Sequence, residues 1–134
     1  MTQKELCRVA VEARKHAYAP YSGVKVGAAL MTTSGKVYTG CNIENAAFSP
    51  TICAERVAFA KAVSEGEREF LAIAVAGGKG DTVDGACPPC GVCRQVMAEF
   101  CRPDFLVMTV TGEDTFTQQP LMKLLPQAFT PKNV

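Results

Sequence analysis

The sequence predicts one α/β domain, residues 1–134, in which a mixed five-stranded sheet lies between two layers of helices. Stretches with helical periodicity alternate with apolar runs of strand length, and this alternation is typical of a sheet covered by helices on both faces. Two of the runs are almost wholly apolar, which indicates strands buried on both sides. A chain of 134 residues is long enough to bury one core, and no repeat or linker divides it.

The N-terminal segment predicts a helix. Thr2 and Glu5 have the spacing of a capping box, in which two side chains bond the free amides of a helix start. Apolar residues then recur at helical spacing and predict a buried face: Leu6, Val9, Ala10, Ala13 and Ala17. We expect this helix to end before Pro20, because proline cannot continue it.

A hairpin and a second helix follow. Val24 to Met31 and Val37 to Ile43 have the composition of strands, and the turn at Thr33 to Gly35 joins them into an antiparallel hairpin. The second helix is predicted to begin at Ser49-Pro50, since proline suits the first helical position. It should run to about Ser64.

The C-terminal half predicts a parallel pair of strands in the middle of the sheet. Phe70 to Ala76 and Phe105 to Val110 are the two apolar runs. A helix that begins near Cys90 and ends before Pro103 connects them. Strands joined through a helix in this way are parallel, with a right-handed crossover.

The remaining segments have weaker patterns. Gly77 to Ala86 is predicted as a loop, and its glycines lack the spacing of a phosphate-binding loop. Thr115 to Gln118 predicts a short edge strand, and Leu121 to Leu125 one or two helical turns.

The composition argues against several classes of protein. The formal net charge is +1 and no run of Lys or Arg occurs, so the charge pattern of a nucleic-acid binder is missing. No apolar stretch approaches the roughly 20 residues of a membrane span. Met1 to Arg8 carries charges where a signal peptide would be apolar, so we expect a cytoplasmic protein. In the reducing cytoplasm, the seven cysteines are better explained by metal binding or by buried free thiols than by disulfides.

Two short motifs predict a catalytic zinc site. Cys53-Ala-Glu55 lies in the second predicted helix, and Cys90-Gly-Val-Cys93 begins the third. The three thiolates offer zinc three ligands, and zinc with three protein ligands keeps a fourth position for a water. Glu55 is two residues from a ligand, and its side chain is long enough to reach that water and move its proton.

The predicted helix starts would place positive partial charges next to the three cysteines. Cys90 and Cys93 are three residues apart, so both sulfurs face one side of a helix, and Cys53 would lie in the first turn of the preceding helix. Two helix N-termini would then point at one metal, and their partial positive charge lowers the pKa of a thiol. Three thiolates on zinc leave one net negative charge. We expect a hydrogen bond from Arg56 or Arg94 to the sulfurs to offset it.

Other interpretations of the cysteines compete with this one. Cys-Gly-Val-Cys at a helix start also resembles a thioredoxin-type redox pair, which leaves Cys-Ala-Glu unexplained. A closed structural site that adds Cys87 as a fourth ligand is the stronger competitor, although two prolines follow Cys87 and force an extended path. Cys7, Cys41 and Cys101 are expected to fill apolar space, and His16 to lie at the surface near a helix end.

The residues also carry a family resemblance. Zinc deaminases share a His- or Cys-x-Glu sequence followed by Pro-Cys-x-x-Cys. Within that group the chain resembles the small homotetrameric cytidine deaminases, over nearly its whole length. The matching blocks stand in the family's order: Tyr18–Ser22, Val26–Ala29, Gly40–Ala47, Cys53–Arg56, Pro89–Gln95 and Leu124–Phe129.

The resemblance implies a cytidine deaminase-like fold and hydrolytic deamination of cytidine and 2′-deoxycytidine in nucleoside salvage. It implies one zinc per subunit on Cys53, Cys90 and Cys93, with Glu55 passing protons from water to ring nitrogen 3 and then to the departing amine. By the same resemblance Asn42 and Glu44 would bind the 3′-hydroxyl of the ribose, and the backbone near Ala54 the base. Phe129 would enter the active site of a neighbouring subunit in a homotetramer.

Two positions depart from the family's pattern. Val24 replaces a phenylalanine that packs against the base, so an aromatic contact is lost. Phe48 stands where the family often has tyrosine. Val24 therefore leaves a second enzyme hypothesis open: a deaminase of another aminopyrimidine nucleoside or of a nucleoside-like antibiotic. The non-enzyme alternative is a binding module that zinc stabilises.

Overall fold

The computed structural model describes residues 1–134 and contains four helices and five strands. The segments are, in chain order, α1 Gln3–Ala13, β1 Val24–Thr32, β2 Val37–Cys41, α2 Ala54–Ser64, β3 Phe70–Lys79, α3 Gly91–Phe100, β4 Leu106–Gly112, β5 Thr115–Pro120 and α4 Leu121–Leu124. Short 3₁₀ turns follow α1 at Arg14–His16 and end the chain at Pro131–Asn133. No helix of this set has both the length and the apolar character needed to cross a membrane.

The five strands form one mixed sheet in the order β2-β1-β3-β4-β5. β1 pairs antiparallel with β2 and with β3, and β4 pairs antiparallel with β5. The pair β3 and β4 is parallel, with Ala72 opposite Leu106. The predicted antiparallel hairpin and parallel middle strands are therefore confirmed, and α3 makes the crossover between the parallel strands.

Helices cover both faces of the sheet, which confirms the predicted three layers. Successive residues of β3 point to opposite faces, so Ala72, Ala74 and Ala76 lie in the same apolar cluster as Leu6, Cys7 and Ala10 of α1. Ile73 and Val75 lie in the larger cluster, which is formed with Phe59 of α2, Met97 of α3 and other residues. The metal ligands belong to the helices on this second face.

The predicted start of the second helix at Ser49-Pro50 was wrong. Residues 46–50 form turns, and α2 begins at Ala54. The cause is an antiparallel bridge between Ile43 and Ile52, in which each amide donates to the other's carbonyl at 3.0 Å. Because this bridge holds residue 52 extended, the helix starts only after Cys53.

Other boundaries differ by a few residues. α1 ends at Ala13 and tightens into the 3₁₀ turn, so Ala17 lies outside it. β3 runs through Gly77 and Gly78 to Lys79, because these residues pair with Val26, Lys25 and Val24 of β1; the predicted loop therefore starts later. β2 ends at Cys41, before Ile43, and β4 begins after Phe105.

A glycine brings α2 close to the sheet. A Cβ on Gly40 of β2 would lie 2.2 Å from the Ala54 carbonyl oxygen and 2.6 Å from the Ala58 nitrogen. Only a residue without a side chain allows this separation. The close contact fixes the first turn of α2, and with it Cys53 and Glu55, against the sheet.

Candidate metal centre and active site

Three sulfur atoms meet between α2 and α3. The Sγ atoms of Cys53, Cys90 and Cys93 all lie within 4.8 Å of one another, with Cys53–Cys90 at 3.8 Å and Cys90–Cys93 at 3.6 Å. Tetrahedral zinc with Zn–S bonds of about 2.3 Å places its sulfurs about 3.8 Å apart. The donor set and its spacing therefore fit zinc, and the three predicted ligands come together.

Helix starts position these ligands. Cys53 is the N-cap of α2 and Cys90 the N-cap of α3, both in extended conformation, while Cys93 lies in the first turn of α3. Neither N-cap side chain makes a capping hydrogen bond to a backbone amide of its helix, so both sulfurs are free to face the metal. The prediction that two helix N-termini point at the site is confirmed, although Cys53 caps its helix instead of lying in the first turn. Their partial positive charges favour thiolates.

The thiols of Cys53 and Cys93 have pKa values shifted in opposite directions. Hydrogen bonds, chiefly from Cys93 and also from Arg56, lower the pKa of Cys53 to about 5. The pKa of Cys93 moves in the opposite direction, first because its thiol bonds the Cys53 sulfur and then because it is buried. Zinc takes cysteine as thiolate, so binding of the metal releases the protons that these thiols carry.

Of the two arginines predicted to offset the charge, Arg56 contacts a sulfur. Its Nη2 lies 3.5 Å from Cys53 Sγ, while its Nε is buried without a hydrogen-bond partner. Arg94 instead donates from Nε to the Pro89 carbonyl at 2.8 Å and from Nη1 to the Leu124 carbonyl at 2.7 Å. Arg56 therefore supplies positive charge at the metal centre, whereas Arg94 holds the segment before Cys90.

Glu55 is a buried carboxyl group beside this cluster. It lies in the first turn of α2 and is 4% exposed. Burial raises the pKa of Glu55, and the negative charge of Cys53 adds to the rise. A carboxyl group whose pKa is raised in this way can accept a proton and return it within one reaction cycle.

The fourth nearby cysteine, Cys87, lies outside the cluster. The metal-ligating group comprises Cys53, Cys90 and Cys93, whereas Cys87 packs on the end of β3. A Cβ on Gly77 would lie 2.7 Å from Cys87 Sγ. The geometry does not support the predicted competitor, a closed site of four sulfurs. All seven cysteines are free thiols.

The predicted sugar-binding residues lie between β2 and α2 and hold the strands around them. Asn42 accepts from the Val26 amide through Oδ1 and donates from Nδ2 to the Val24 carbonyl, both at 2.8 Å. The Glu44 carboxylate accepts from the Tyr21 amide at 2.9 Å, from the Ser22 amide at 3.1 Å and from the Ser22 hydroxyl. These bonds, from Ser22 above all, lower the pKa of Glu44, so the carboxylate is ionised near neutral pH.

The other predicted binding residues occupy separate positions. Ala54 is fully buried as the first residue of α2, and Val24 is half-buried at the start of β1. Phe129 is 63% exposed, and its carbonyl accepts from Gln95 Nε2 at 2.9 Å. Phe48 is 80% exposed in the turn before α2.

One buried residue was missed at the sequence level. Arg14 is 4% exposed, and its guanidinium bonds carbonyls of β1, β3 and the loop after β3. Its position four residues after the buried Ala10 was the available signal, because that spacing puts both on one face of a helix.

A helix-covered mixed sheet that brings three thiolates and a buried glutamic acid together defines a zinc-dependent hydrolase site of the kind that nucleobase deaminases use. The family model described as "Cytidine and deoxycytidylate deaminase zinc-binding region" matches residues 1–109. The chain belongs to this family of zinc-dependent deaminases, and zinc is its cofactor, one per subunit.

Individual relatives agree with this assignment. A cytidine deaminase of Sporosarcina psychrophila is 46% identical over the whole chain and 96% of its own length. The crystal structure of cytidine deaminase from Burkholderia pseudomallei matches with a TM-score of 0.88 at 46% identity, covering 96% of this chain and 100% of that one. A blasticidin-S deaminase of Bacillus cereus is 30% identical over 78% of this chain and 76% of its own.

Proposed function

We propose that the chain catalyses the hydrolytic deamination of cytidine and 2′-deoxycytidine to uridine and 2′-deoxyuridine, with release of ammonia. The observation that carries the proposal is that the buried carboxyl group of Glu55 interacts with Cys53 and Cys93, two of the three clustered sulfur ligands. The overall likeness to cytidine deaminases selects the substrate class. The identity to the blasticidin-S deaminase is lower, which favours cytidine over a nucleoside-like antibiotic.

Bound zinc supplies a nucleophile by lowering the pKa of a water. Glu55 accepts the proton of that water and donates it to ring nitrogen 3 of the pyrimidine while the water oxygen bonds carbon 4. Glu55 then takes the remaining proton of the oxygen on carbon 4 and gives it to the exocyclic amine; the bond from carbon 4 to this nitrogen breaks, a carbonyl forms at carbon 4, and ammonia leaves. The raised pKa of Glu55 suits both directions of transfer.

Asn42 and Glu44 are proposed to bind the ribose. An ionised carboxylate has about four lone-pair sites, and three donors already occupy part of Glu44, so one acceptor site remains for a hydroxyl. Asn42 keeps one N–H donor free of the two bonds that it makes to β1. Because the negative charge of Glu44 repels a phosphate, a nucleoside fits this site better than a nucleotide.

The active form is proposed to be a homotetramer with shared active sites. We place it in the cytoplasm, where it would act in nucleoside salvage. Phe129 and Phe48 expose most of their aromatic surface, as interface residues of a single subunit do. The free thiols are consistent with a reducing compartment. Sharing of sites is tested by mixing Glu55→Ala subunits with Phe129→Ala subunits. Recovery of activity on mixing is expected, and no recovery despite co-assembly would contradict the shared site.

A substrate panel tests the proposed function. The zinc-loaded chain is incubated with cytidine, 2′-deoxycytidine, cytidine monophosphate, adenosine and blasticidin S, and ammonia release is measured for each. We expect turnover of the first two. Turnover of blasticidin S alone would support the second enzyme hypothesis, which Val24 keeps open, and inactivity on all with zinc bound would favour the binding module.

A further inference from the structure

Arg14 is a buried cation that ties the loop after β3 to the ends of β1 and β3. Its Nε donates to the Lys25 carbonyl of β1 at 2.9 Å. Its Nη2 donates to the Gly78 carbonyl of β3 at 2.8 Å and to two carbonyls of the loop, Gly80 at 3.0 Å and Thr82 at 3.1 Å. We propose that Arg14 is a positioning residue that sets the width of the substrate pocket; the proposal rests on the proposed function.

The environment of Arg14 explains why a charge is stable there. Burying a cation without compensation is costly, and the guanidinium makes no ion pair with a carboxylate. Four carbonyl dipoles replace the counter-ion. Arg14 is also the C-cap of α1, where the helix dipole is negative. A lysine ammonium has three donors on one atom and cannot reach both the β1 carbonyl and the loop carbonyls, whereas the guanidinium fork carries five donors in a fixed plane.

The later residues of this loop line an open pocket of about 240 Å³ beside the start of β1. Val24, the neighbour of Lys25, forms one side, and residues of the segment 77–87 form the other, among them Lys79, Asp84 and Cys87. Val24 and Lys79 are held together by strand pairing, but the loop from residue 80 has no such pairing to β1. Without the guanidinium, the Gly80 and Thr82 carbonyls would lose their donor, and this loop would be held less firmly. Arg14 therefore fixes the loop wall of the pocket relative to Val24.

The pocket adjoins the metal centre. Cys87, which lines it, is close enough to Glu55 and Cys53 that their negative charges add to the rise that burial causes in the pKa of Cys87. The same segment continues through Pro88 and Pro89 to the ligand Cys90. A pyrimidine whose reacting carbon lies at Glu55 would have part of its ring or sugar against Val24 and Cys87, so the pocket width acts on binding more than on proton transfer.

The test compares Arg14→Ala and Arg14→Lys with Arg8→Ala, a control on the same helix whose arginine pairs at the surface with Asp114. Loss of hydrogen bonds from a charged donor predicts a KM for cytidine raised about tenfold or more in Arg14→Ala. We expect kcat and zinc content close to those of the unmodified chain, and a smaller rise in KM for Arg14→Lys. Millimolar guanidinium should partly restore KM in Arg14→Ala and leave Arg8→Ala unchanged.

Two further measurements do not depend on turnover. Hydrogen exchange should quicken in residues 78–87 of both Arg14 variants and not in α2 or α3, and calorimetry should show weaker binding of uridine. If the segment exchanges faster while KM and uridine affinity are unchanged, or if kcat alone falls, the positioning role is overturned. A wild-type chain that binds uridine but does not deaminate cytidine would overturn the proposed function alone, and the uridine affinities would still decide the role of Arg14.

Discussion

The metal centre and the pocket beside Val24 lie next to each other but are built differently. The metal ligands come from two short sequence motifs, each at the start of a helix, so local chain geometry places them. The pocket walls come from separate segments: β1 and β3 pair directly, and the loop after β3 is held by hydrogen bonds from Arg14 to carbonyls 64 to 68 positions away in the sequence. We infer from this difference that the chemical step depends on the zinc ligands and Glu55, which the helix starts hold in place. Substrate selectivity depends instead on the pocket walls, whose positions depend on contacts between distant segments.

Removal of a metal ligand should have the largest effect. In Cys53→Ala only two sulfur ligands remain, which are too few to bind zinc at ordinary affinity. The positive charge of Arg56 also loses the thiolate that it contacts. We expect zinc content to fall from one per chain towards zero and turnover to fall to background, as measured by plasma mass spectrometry and ammonia release. Cys101→Ala, at the C-terminal end of α3, is the matched control and should keep its zinc. Full metal content in Cys53→Ala would show another ligand set.

Removal of Glu55, the proposed proton carrier, should separate the effect on chemistry from the effect on metal binding. Glu55→Ala is expected to keep zinc and to lose about 10²- to 10⁴-fold in kcat, the usual contribution of a general acid and base. Glu99→Ala, an exposed carboxylate on α3, should leave kcat unchanged. Steady-state kinetics with parallel zinc analysis make the comparison, and near-normal turnover in Glu55→Ala would remove this residue from the mechanism.

Loss of Arg56 should lower the affinity for zinc without abolishing zinc binding. Its guanidinium is one of the groups that lower the pKa of Cys53, after the bond from Cys93. In Arg56→Ala the thiol pKa rises, so protons compete with zinc at higher pH and the midpoint of zinc release on acidification shifts upward. Groups in this position typically change metal affinity about 10- to 100-fold. Arg102→Ala, an exposed arginine, is the control, and an unmoved midpoint in Arg56→Ala would contradict the role.

The metal centre was predictable from the sequence because its geometry is local. Cys90 and Cys93 stand three apart at a helix start, and Cys53-Ala-Glu55 needed only its helix to place the carboxyl near the sulfurs. The sheet was predictable for a similar reason: the apolar runs marked β3 and β4, and the turn marked the β1–β2 hairpin.

What the sequence did not predict depends on contacts between distant residues. Ser49-Pro50 favours a helix start, but the bridge between Ile43 and Ile52 holds residue 52 extended, so α2 begins only at Ala54. Pairing with β1 extends β3 through glycines that by composition suggest a loop. The hydrogen bonds of Arg14 go to carbonyl groups, which every residue has, so no residue type could reveal them or the role proposed for Arg14.

The smallest effect is expected at the pocket wall, from Val24→Phe. The half-buried Val24 faces an open pocket, so a phenyl ring has space to enter it and contact the base. An aromatic pair contributes about 0.5–1.5 kcal/mol beyond the area it buries, so KM for cytidine should fall about two- to tenfold with kcat and zinc content unchanged. Val24→Leu controls for added volume without a ring. Equal KM changes in both variants would show that the pocket responds to size alone, and a rise in KM would show that the segment 77–87 already occupies the space of the ring.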